Sequence, residues 1–350
     1  MNKIYMFFVA FLLSASIFAQ DDTTLVVVEG QEAQVAYNSG IELFKAGDYQ
    51  AAISKFDEAI AFNADFAEAY LNRGSSKYAS DRTDEAIADF TTCIEKNDSL
   101  GEAFYARGRA NFDKAEYDKV IEDFDKALEK GYTEERKLYY FRGVIKFLRE
   151  DYESAITDFD KAISLDFDKK SSYAYNDRGS CNLKLEKYDA AIADYESARR
   201  VDKKHAFIPN NLGRAYVKKE DYKKAIAAFS DAISIDDKYV LAYNNRGDAK
   251  MYLEDYKGAL EDFNKALMID EKYAYAQNNI GRAKYKLKDY EGALTALNAA
   301  IELNPEYGEA YVNRGIVKEM LRDREGRCAD WKKAQELGVE QANNLVIECK

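Results

Sequence analysis

The sequence predicts an all-α protein made of about nine copies of one helix–turn–helix unit. Three observations support that fold class: a nearly constant interval between glycines, a fixed order of small and large residues after each glycine, and a short polar turn between two helical patterns. A repeat of this length indicates an array in which each unit packs against its neighbours.

Nine glycines recur at intervals of 34 to 36 residues and define repeats 1 to 9. They are Gly40, Gly74, Gly108, Gly143, Gly179, Gly213, Gly247, Gly281 and Gly315. We write each position as its offset from the repeat glycine. Glycine within a helix costs about 1 kcal/mol relative to alanine, so a close contact is expected at each one. We predict that contact to be with the small residue at +12, with the bulky residue at +16 beside it.

The second helix of each unit, helix B, is predicted from positions +12, +16 and +19. Position +12 is alanine in seven repeats, +16 is a large apolar or aromatic residue, and +19 is alanine in all repeats but one. Offsets that differ by four and three lie on one face of a helix. Turns such as GDY, EDY and KDY separate helix B from the preceding helix A.

This pattern resembles the tetratricopeptide repeat family. The segment from Leu241 to Asp270, LAYNNRGDAKMYLEDYKGALEDFNKALMID, carries the motif, and the resemblance extends over residues 33–337. It implies a right-handed superhelical α-solenoid of about nine repeats with a C-terminal capping helix. It also implies a concave groove, lined by positions −3, −2, +1, +4 and +5 of the A helices, that binds a protein or peptide.

Both ends of the chain are predicted to lie outside the repeats. Lys3, an apolar run from Ile4 to Leu13 and the small residue Ala19 are typical of a signal peptide over residues 1–19. Residues 20–32 are predicted to be a linker, and residues 338–350 the capping helix. We therefore expect an exported protein, periplasmic or extracellular, without membrane insertion after signal cleavage. A membrane anchor is the alternative, although the apolar run is short for a span.

The composition argues against several classes of function. The net charge of −12 disfavours nucleic acid and anionic membranes as partners. His205 is the single histidine, and neither metal-ligand spacing nor a phosphate-binding glycine loop is present. We expect no enzyme activity, no cofactor and no metal, and the oligomeric state stays open.

The cysteines predict one disulfide. Cys328 and Cys349 lie 10 residues before and 11 after Gly338. If the last helix folds back antiparallel on its predecessor, these nearly equal distances bring the two sulfur atoms together. Cys93 and Cys181 are expected to be packed free thiols.

Arginine at −1 and aspartate at +15 occur in the same six repeats and never apart. The six pairs are Arg73–Asp89, Arg107–Asp123, Arg142–Asp158, Arg178–Asp194, Arg246–Asp262 and Arg314–Asp330. This co-occurrence predicts largely buried salt bridges between helices A and B of one repeat. The arginines are therefore assigned to the scaffold and not to a binding site.

The groove positions implied by the resemblance supply the candidate binding site. Asparagine occupies −2 in repeats 6 to 9, and arginine occupies +1 in two of them: Asn211, Asn245, Asn279, Asn313, Arg214 and Arg282. An amide offers an acceptor and two donors, which suits an extended peptide backbone; similar asparagine ladders hold peptides in the O-GlcNAc transferase family. The alternative is that each asparagine bonds its own or the neighbouring repeat, and the asparagines at −3 in repeats 5 to 8 fit that alternative better.

The aromatic residues of repeats 3 and 4 predict a more apolar part of the groove, which contains Tyr105, Tyr140 and Phe141. Extra hydrophobic packing or a dimer contact is the competing explanation for these residues. The predicted function is a non-catalytic scaffold of the cell envelope that holds an extended protein or peptide segment in the groove. The alternatives are an architectural subunit that contacts partners through its outer helices, and a glycan-binding array.

Overall fold

The computed structural model describes residues 31–166 and 171–349. Nineteen α-helices and no strand lie in these ranges, so the predicted all-α class is confirmed. The predicted signal peptide and most of the predicted linker lie outside the described residues. Gln31 and Glu32, which were assigned to the linker, already belong to the first helix.

The described chain divides into two compact units, one ending at Lys114 and one beginning at Ala115. The first unit contains α1 (Gln31–Lys45), α2 (Tyr49–Phe62), α3 (Ala67–Ala79), α4 (Thr83–Lys96) and α5 (Gly101–Asp113). In this unit α1 packs against α2 and α3 against α4. Apart from the last helix of the chain, odd-numbered helices are the A helices and even-numbered helices the B helices.

The second unit begins with α6 (Tyr117–Glu129), the B helix of repeat 3. Six A–B hairpins follow: α7 (Arg136–Leu148) with α8 (Tyr152–Ser164), α9 (Ser172–Lys184) with α10 (Tyr188–Val201), α11 (Phe207–Lys218) with α12 (Tyr222–Ile235), α13 (Val240–Tyr252) with α14 (Tyr256–Ile269), α15 (Ala274–Lys286) with α16 (Tyr290–Leu303), and α17 (Gly308–Met320) with α18 (Arg324–Glu336). The chain closes with α19 (Ala342–Ile347). Within the described residues, no helix has the length and apolar character needed to cross a bilayer.

The repeat glycine packs against the ring at +16. A Cβ atom added to Gly213 would lie 2.5 Å from Cε1 of Phe229, and one added to Gly40 would lie 2.6 Å from Cε1 of Phe56. Both rings are fully buried. The prediction that the residue at +12 makes the closest contact was therefore wrong. Alanine at +12 is buried nearby, but the ring at +16 lies directly over the glycine.

Two backbone features shape the turn between helices A and B. Position +7 has a positive φ in all nine repeats; it is Gly47 in repeat 1 and a residue with a side chain in the other eight. In six repeats the aspartate at +8 then caps helix B by accepting a hydrogen bond from the backbone N–H three residues on. The aspartate of the GDY, EDY and KDY turns is thus a helix N-cap.

The C-terminal cap is shorter than the predicted helix over residues 338–350. Gly338 adopts a left-handed backbone conformation with φ +80°, which ends α18, and α19 contains only six residues. Ala342 packs against Val312 and Ala334. The Cys328–Cys349 disulfide is formed, with 5.6 Å between the Cα atoms, and it ties α18 to the residues after α19. Cys93 and Cys181 are buried free thiols.

Candidate functional site

In five of the six predicted salt bridges, the arginine and the aspartate belong to the same compact unit, and all five bridges are formed in the structure. In each of them the guanidinium at −1 donates two hydrogen bonds to the aspartate at +15. The Nε–Oδ2 and Nη2–Oδ1 distances are 2.9 and 2.6 Å in Arg73–Asp89 and 3.0 and 2.6 Å in Arg246–Asp262. The other three are Arg142–Asp158, Arg178–Asp194 and Arg314–Asp330. Arg107 lies in the first unit and Asp123 in the second, and their pairing stays a prediction.

Two further partners make each of these pairs part of a larger network. A second donor at +3 reaches the same aspartate: Lys250 Nζ lies 2.8 Å from Asp262, and Asn182 Nδ2 lies 2.9 Å from Asp194. The guanidinium also donates to position +17 on the B helix of the preceding repeat, as Arg246 does to Ser230 Oγ at 3.0 Å. Sequence reasoning missed both partners, although polar residues at +3 accompany all six arginines.

The asparagines at −2 form an inter-repeat chain of hydrogen bonds. Each donates its Nδ2–H to the Oδ1 atom of the asparagine at −3 in the preceding repeat, at 2.8 to 3.0 Å. The four bonds are Asn211 to Asn176, Asn245 to Asn210, Asn279 to Asn244, and Asn313 to Asn278. We call this series the amide zipper. It provides the neighbouring-repeat contacts that the structural alternative requires, and the asparagines at −3 supply the acceptors of these bonds.

The zipper leaves part of each −2 amide free for a ligand. Within the described residues, the Oδ1 atoms of Asn211, Asn245 and Asn313 accept no hydrogen bond from the protein, and each Nδ2 uses one of its two hydrogens. The inter-repeat bond holds each amide in one orientation. The result is a row of oriented acceptors and spare donors.

The two arginines at +1 differ in their surroundings. Arg282 donates to Asp248 Oδ1 at 2.9 Å and to Asn279 Oδ1 at 3.0 Å, so Asn279 has its acceptor occupied. Arg214 is exposed and forms no ion pair or hydrogen bond with another described residue. Of the two, Arg214 is therefore available to an outside group.

Two cavities occur in the same register on the A helices of the second unit. Each is lined by +1, +4 and +16 of one repeat and by −2 and +1 of the next. The cavity of repeats 8 and 9 measures about 260 Å³ and includes Arg282, Tyr285, Leu297, Asn313 and Ile316. Leucine stands at +16 here, where six other repeats have phenylalanine, so less of the space is filled.

The cavity of repeats 4 and 5 measures about 120 Å³ and is walled by Val144, Phe147 and Phe159, with Asp177 and Ser180 completing it. Asp177 stands at −2, where repeats 6 to 9 have asparagine, and its Oδ2 accepts a hydrogen bond from Tyr140 Oη at 2.9 Å. Burial, followed by the nearby Asp177 charge, raises the pKa of Tyr140, so the phenol stays protonated and donates.

The remaining predicted residues are placed as follows. Phe141 packs edge-on against Tyr140, with 5.4 Å between ring centroids, and both line a neighbouring cavity of about 240 Å³. Tyr105 is half-buried in the first unit. His205 lies at a repeat junction between Tyr173 and Phe207, with Nδ1 at 2.6 Å from Asp202.

Comparison with known proteins identifies the family. A family model described as TPR repeat matches residues 40–81, 213–251 and 281–321. Models described as tetratricopeptide repeat match residues 67–97, 149–206 and 240–273. The chain is a tetratricopeptide repeat protein. No curated protein matches it.

Solved tetratricopeptide repeat structures share the fold. YrrB, described as a TPR protein with an unusual peptide-binding site, is 26% identical; the match covers 53% of this chain and 95% of YrrB, with a TM-score of 0.50. The Cut9–Hcn1 hetero-tetramer of APC/C matches over 93% of this chain and 78% of the solved chain, at 15% identity and a TM-score of 0.55. PilF of Pseudomonas aeruginosa matches over 58% of this chain and 91% of its own, at 18% identity and a TM-score of 0.50.

Proposed function

We propose that this tetratricopeptide repeat protein is a non-catalytic scaffold of the cell envelope that binds an extended protein segment. The segment lies on the A-helix face, by which we mean the −2, +1 and +4 side chains of α7, α9, α11, α13, α15 and α17. The family and fold are those of protein- and peptide-binding scaffolds, and YrrB is described as having a peptide-binding site.

The amide zipper is the observation that carries this proposal. An extended peptide presents C=O and N–H groups along its length, and Asn211, Asn245 and Asn313 present oriented Oδ1 acceptors and spare N–H donors. In the repeat between the last two, Arg282 occupies the acceptor of Asn279. Because neighbouring-repeat bonds already hold these amides, less side-chain entropy is lost on binding. Of the two cavities in the same register, one lies one repeat before the first asparagine of this row and the other is lined by its last asparagine, Asn313, and both supply space for side chains.

The zipper also permits a matched test. The double variant Asn245→Ala/Asn313→Ala removes two inter-repeat hydrogen bonds together with the two free acceptors. The double variant Asn210→Ala/Asn278→Ala removes the same two bonds but keeps both −2 amides. Envelope proteins that co-purify with the wild-type chain supply the partner, and its Kd is then measured for all three proteins.

We expect the −2 variant to lose about tenfold or more in affinity, since each lost hydrogen bond is worth about 0.5–1.5 kcal/mol. The −3 variant is expected to bind within about threefold of the wild type. Equal affinities for the two variants, with both proteins folded by circular dichroism, would make the zipper purely structural. The architectural alternative, with contacts through the outer helices, would then be favoured.

Export is the second part of the proposal. The signal-like sequence over residues 1–19 supports it, as does the Cys328–Cys349 disulfide, because disulfides persist mainly in oxidising compartments. Cell fractionation followed by intact-mass measurement tests this part. We expect a chain in the periplasmic or secreted fraction that begins at Gln20 and lacks two thiol hydrogens. A full-length, fully reduced chain in the cytoplasm would contradict export.

A further inference from the structure

The cavity of repeats 4 and 5 contains one ionisable side chain among apolar walls. Phe147 and Phe159 contribute two rings and Val144 a branched aliphatic side chain, while Asp177 and Ser180 supply the polar atoms. The −2 position is asparagine, alanine or phenylalanine in every other repeat, so Asp177 is the one carboxylate in this register.

Asp177 has two neutral hydrogen-bond donors and no cationic partner. Asn176 Nδ2 donates to Oδ1 and Tyr140 Oη donates to Oδ2, each at 2.9 Å. No lysine or arginine in the described parts of the chain forms an ion pair with this carboxylate. The buried aspartates at +15 differ sharply, because each one within a single unit is paired with an arginine.

Leaving this carboxylate unpaired is unfavourable for the free protein. Burial raises the pKa of Asp177, and the hydrogen bonds from Asn176 and Tyr140 offset only part of that effect. A carboxylate with reduced solvation gains most from an opposite charge brought close to it. Asparagine at the same position, as in repeats 6 to 9, would avoid the cost.

We propose that this cavity is a subsite for a lysine side chain of the bound segment. This inference rests on the proposed function and adds a residue preference to it. The methylene stem lies against Val144 and Phe147, and the ammonium group reaches Asp177 beside the aromatic rings. The protein's net charge of −12 favours the approach of a basic segment.

Lysine fits the geometry better than arginine. Each oxygen of Asp177 already accepts one hydrogen bond, so the two-point contact that a guanidinium prefers is partly blocked. An ammonium group is compact and needs only a single acceptor.

The cavity of repeats 8 and 9 lies in the same register, but its charged side chains are cationic, whereas Asp177 is anionic. Asn313 replaces the aspartate, and the lining contains two cationic side chains, Lys286 and Arg282, of which Arg282 is paired with Asp248. A lysine side chain is therefore disfavoured there. The lysine preference belongs to the repeat 4 and 5 end of the A-helix face, which also sets the register of a segment that carries it.

The test is peptide selection on three full-length proteins. A library of short random peptides is selected on the wild type, on Asp177→Asn, and on Glu271→Gln, whose exposed side chain gives the same change in net charge. Asparagine keeps an acceptor for Tyr140. We expect lysine to be enriched at one peptide position by the wild type and by Glu271→Gln. Asp177→Asn should lose that enrichment while its preferences at the other positions remain.

A thermodynamic cycle then measures the contact. The best peptide and its lysine-to-norleucine analogue are titrated against the wild type and Asp177→Asn. We expect the loss of affinity on changing lysine to norleucine to be about tenfold larger for the wild type than for Asp177→Asn, which is the size of a hydrogen bond to a charged group. No coupling, or selected peptides without a preferred lysine, would overturn the subsite and leave the proposed function standing. If the wild type selects no peptide at all, the proposed function fails and the subsite fails with it.

Discussion

At the scale of single residues, the ring at +16 leaves no space for a side chain at the repeat glycine. A methyl group at Gly213 would lie 2.5 Å from Phe229, in a fully buried space. We expect Gly213→Ala to lower the free energy of unfolding by about 1–3 kcal/mol through overpacking. Helix propensity alone predicts the opposite, a gain of about 1 kcal/mol. Chemical denaturation distinguishes the two, and a stabilised variant would show that the ring yields without cost.

Asp177 gives a second residue-scale prediction, for pH dependence. Because burial raises the pKa of this carboxyl group, the folded chain keeps its proton to a higher pH than the unfolded chain does. Its favourable contribution is thus present in acid and is lost as the pH rises through the raised pKa. We expect Asp177→Asn to melt at a higher temperature than the wild type at neutral pH. The difference should shrink toward zero in acid, and a difference that grows in acid would contradict this account.

At the scale of helices and turns, the arginine at −1 joins three helices. Arg246 bonds Asp262 on its own B helix and Ser230 on the preceding one. Arg246→Met leaves Asp262 with Lys250 alone, and we expect a loss of about 3 kcal/mol, which is typical when one partner of a buried pair is removed. Arg199→Met, which breaks the half-exposed pair with Asp231, is the control and should cost no more than about 1 kcal/mol. Similar losses in both variants, measured by denaturation, would contradict the role of Arg246 in joining the three helices.

The turn at +7 offers a stabilising change. Glu220 has φ +60°, a conformation that is unfavourable for a residue with a Cβ, whereas repeat 1 uses Gly47 at the same position. We expect Glu220→Gly to stabilise the protein by about 0.5–1 kcal/mol and Gly47→Ala to destabilise it by a similar amount. Thermal melts of the two variants check both signs. Shifts in the same direction would mean that the turn tolerates either residue.

At the scale of the whole molecule, the periodic features are the ones that the sequence predicts well. Helix pairs and the Arg–Asp bridges repeat with the glycines, so comparing the copies within one chain is enough to reveal their roles. The amide zipper joins position −3 of one repeat to −2 of the next, and a comparison confined to one repeat overlooks it. Pairing Asn176 with Asn211 and its counterparts down the chain would have found the signal.

Features that occur only once, or that lack their usual sequence marker, were beyond that comparison. The Asp177 cavity depends on a single aspartate and on how Tyr140 of the preceding repeat reaches it. The left-handed conformation at +7 was hidden because glycine, its usual sequence marker, occurs there in one repeat alone. In each case the deciding quantity is a contact or a backbone angle, and residue type alone does not determine it.

The central claim is that the partner lies on the A-helix face. Site-specific photo-crosslinking in cells measures this most directly, with a photoreactive phenylalanine analogue placed at Ser180, at Ile316, or at the highly exposed Met268 on helix α14. We predict crosslinks to one common partner from Ser180 and Ile316 and none from Met268. Crosslinks from Met268 alone would contradict the claim and place the partner on the B helices.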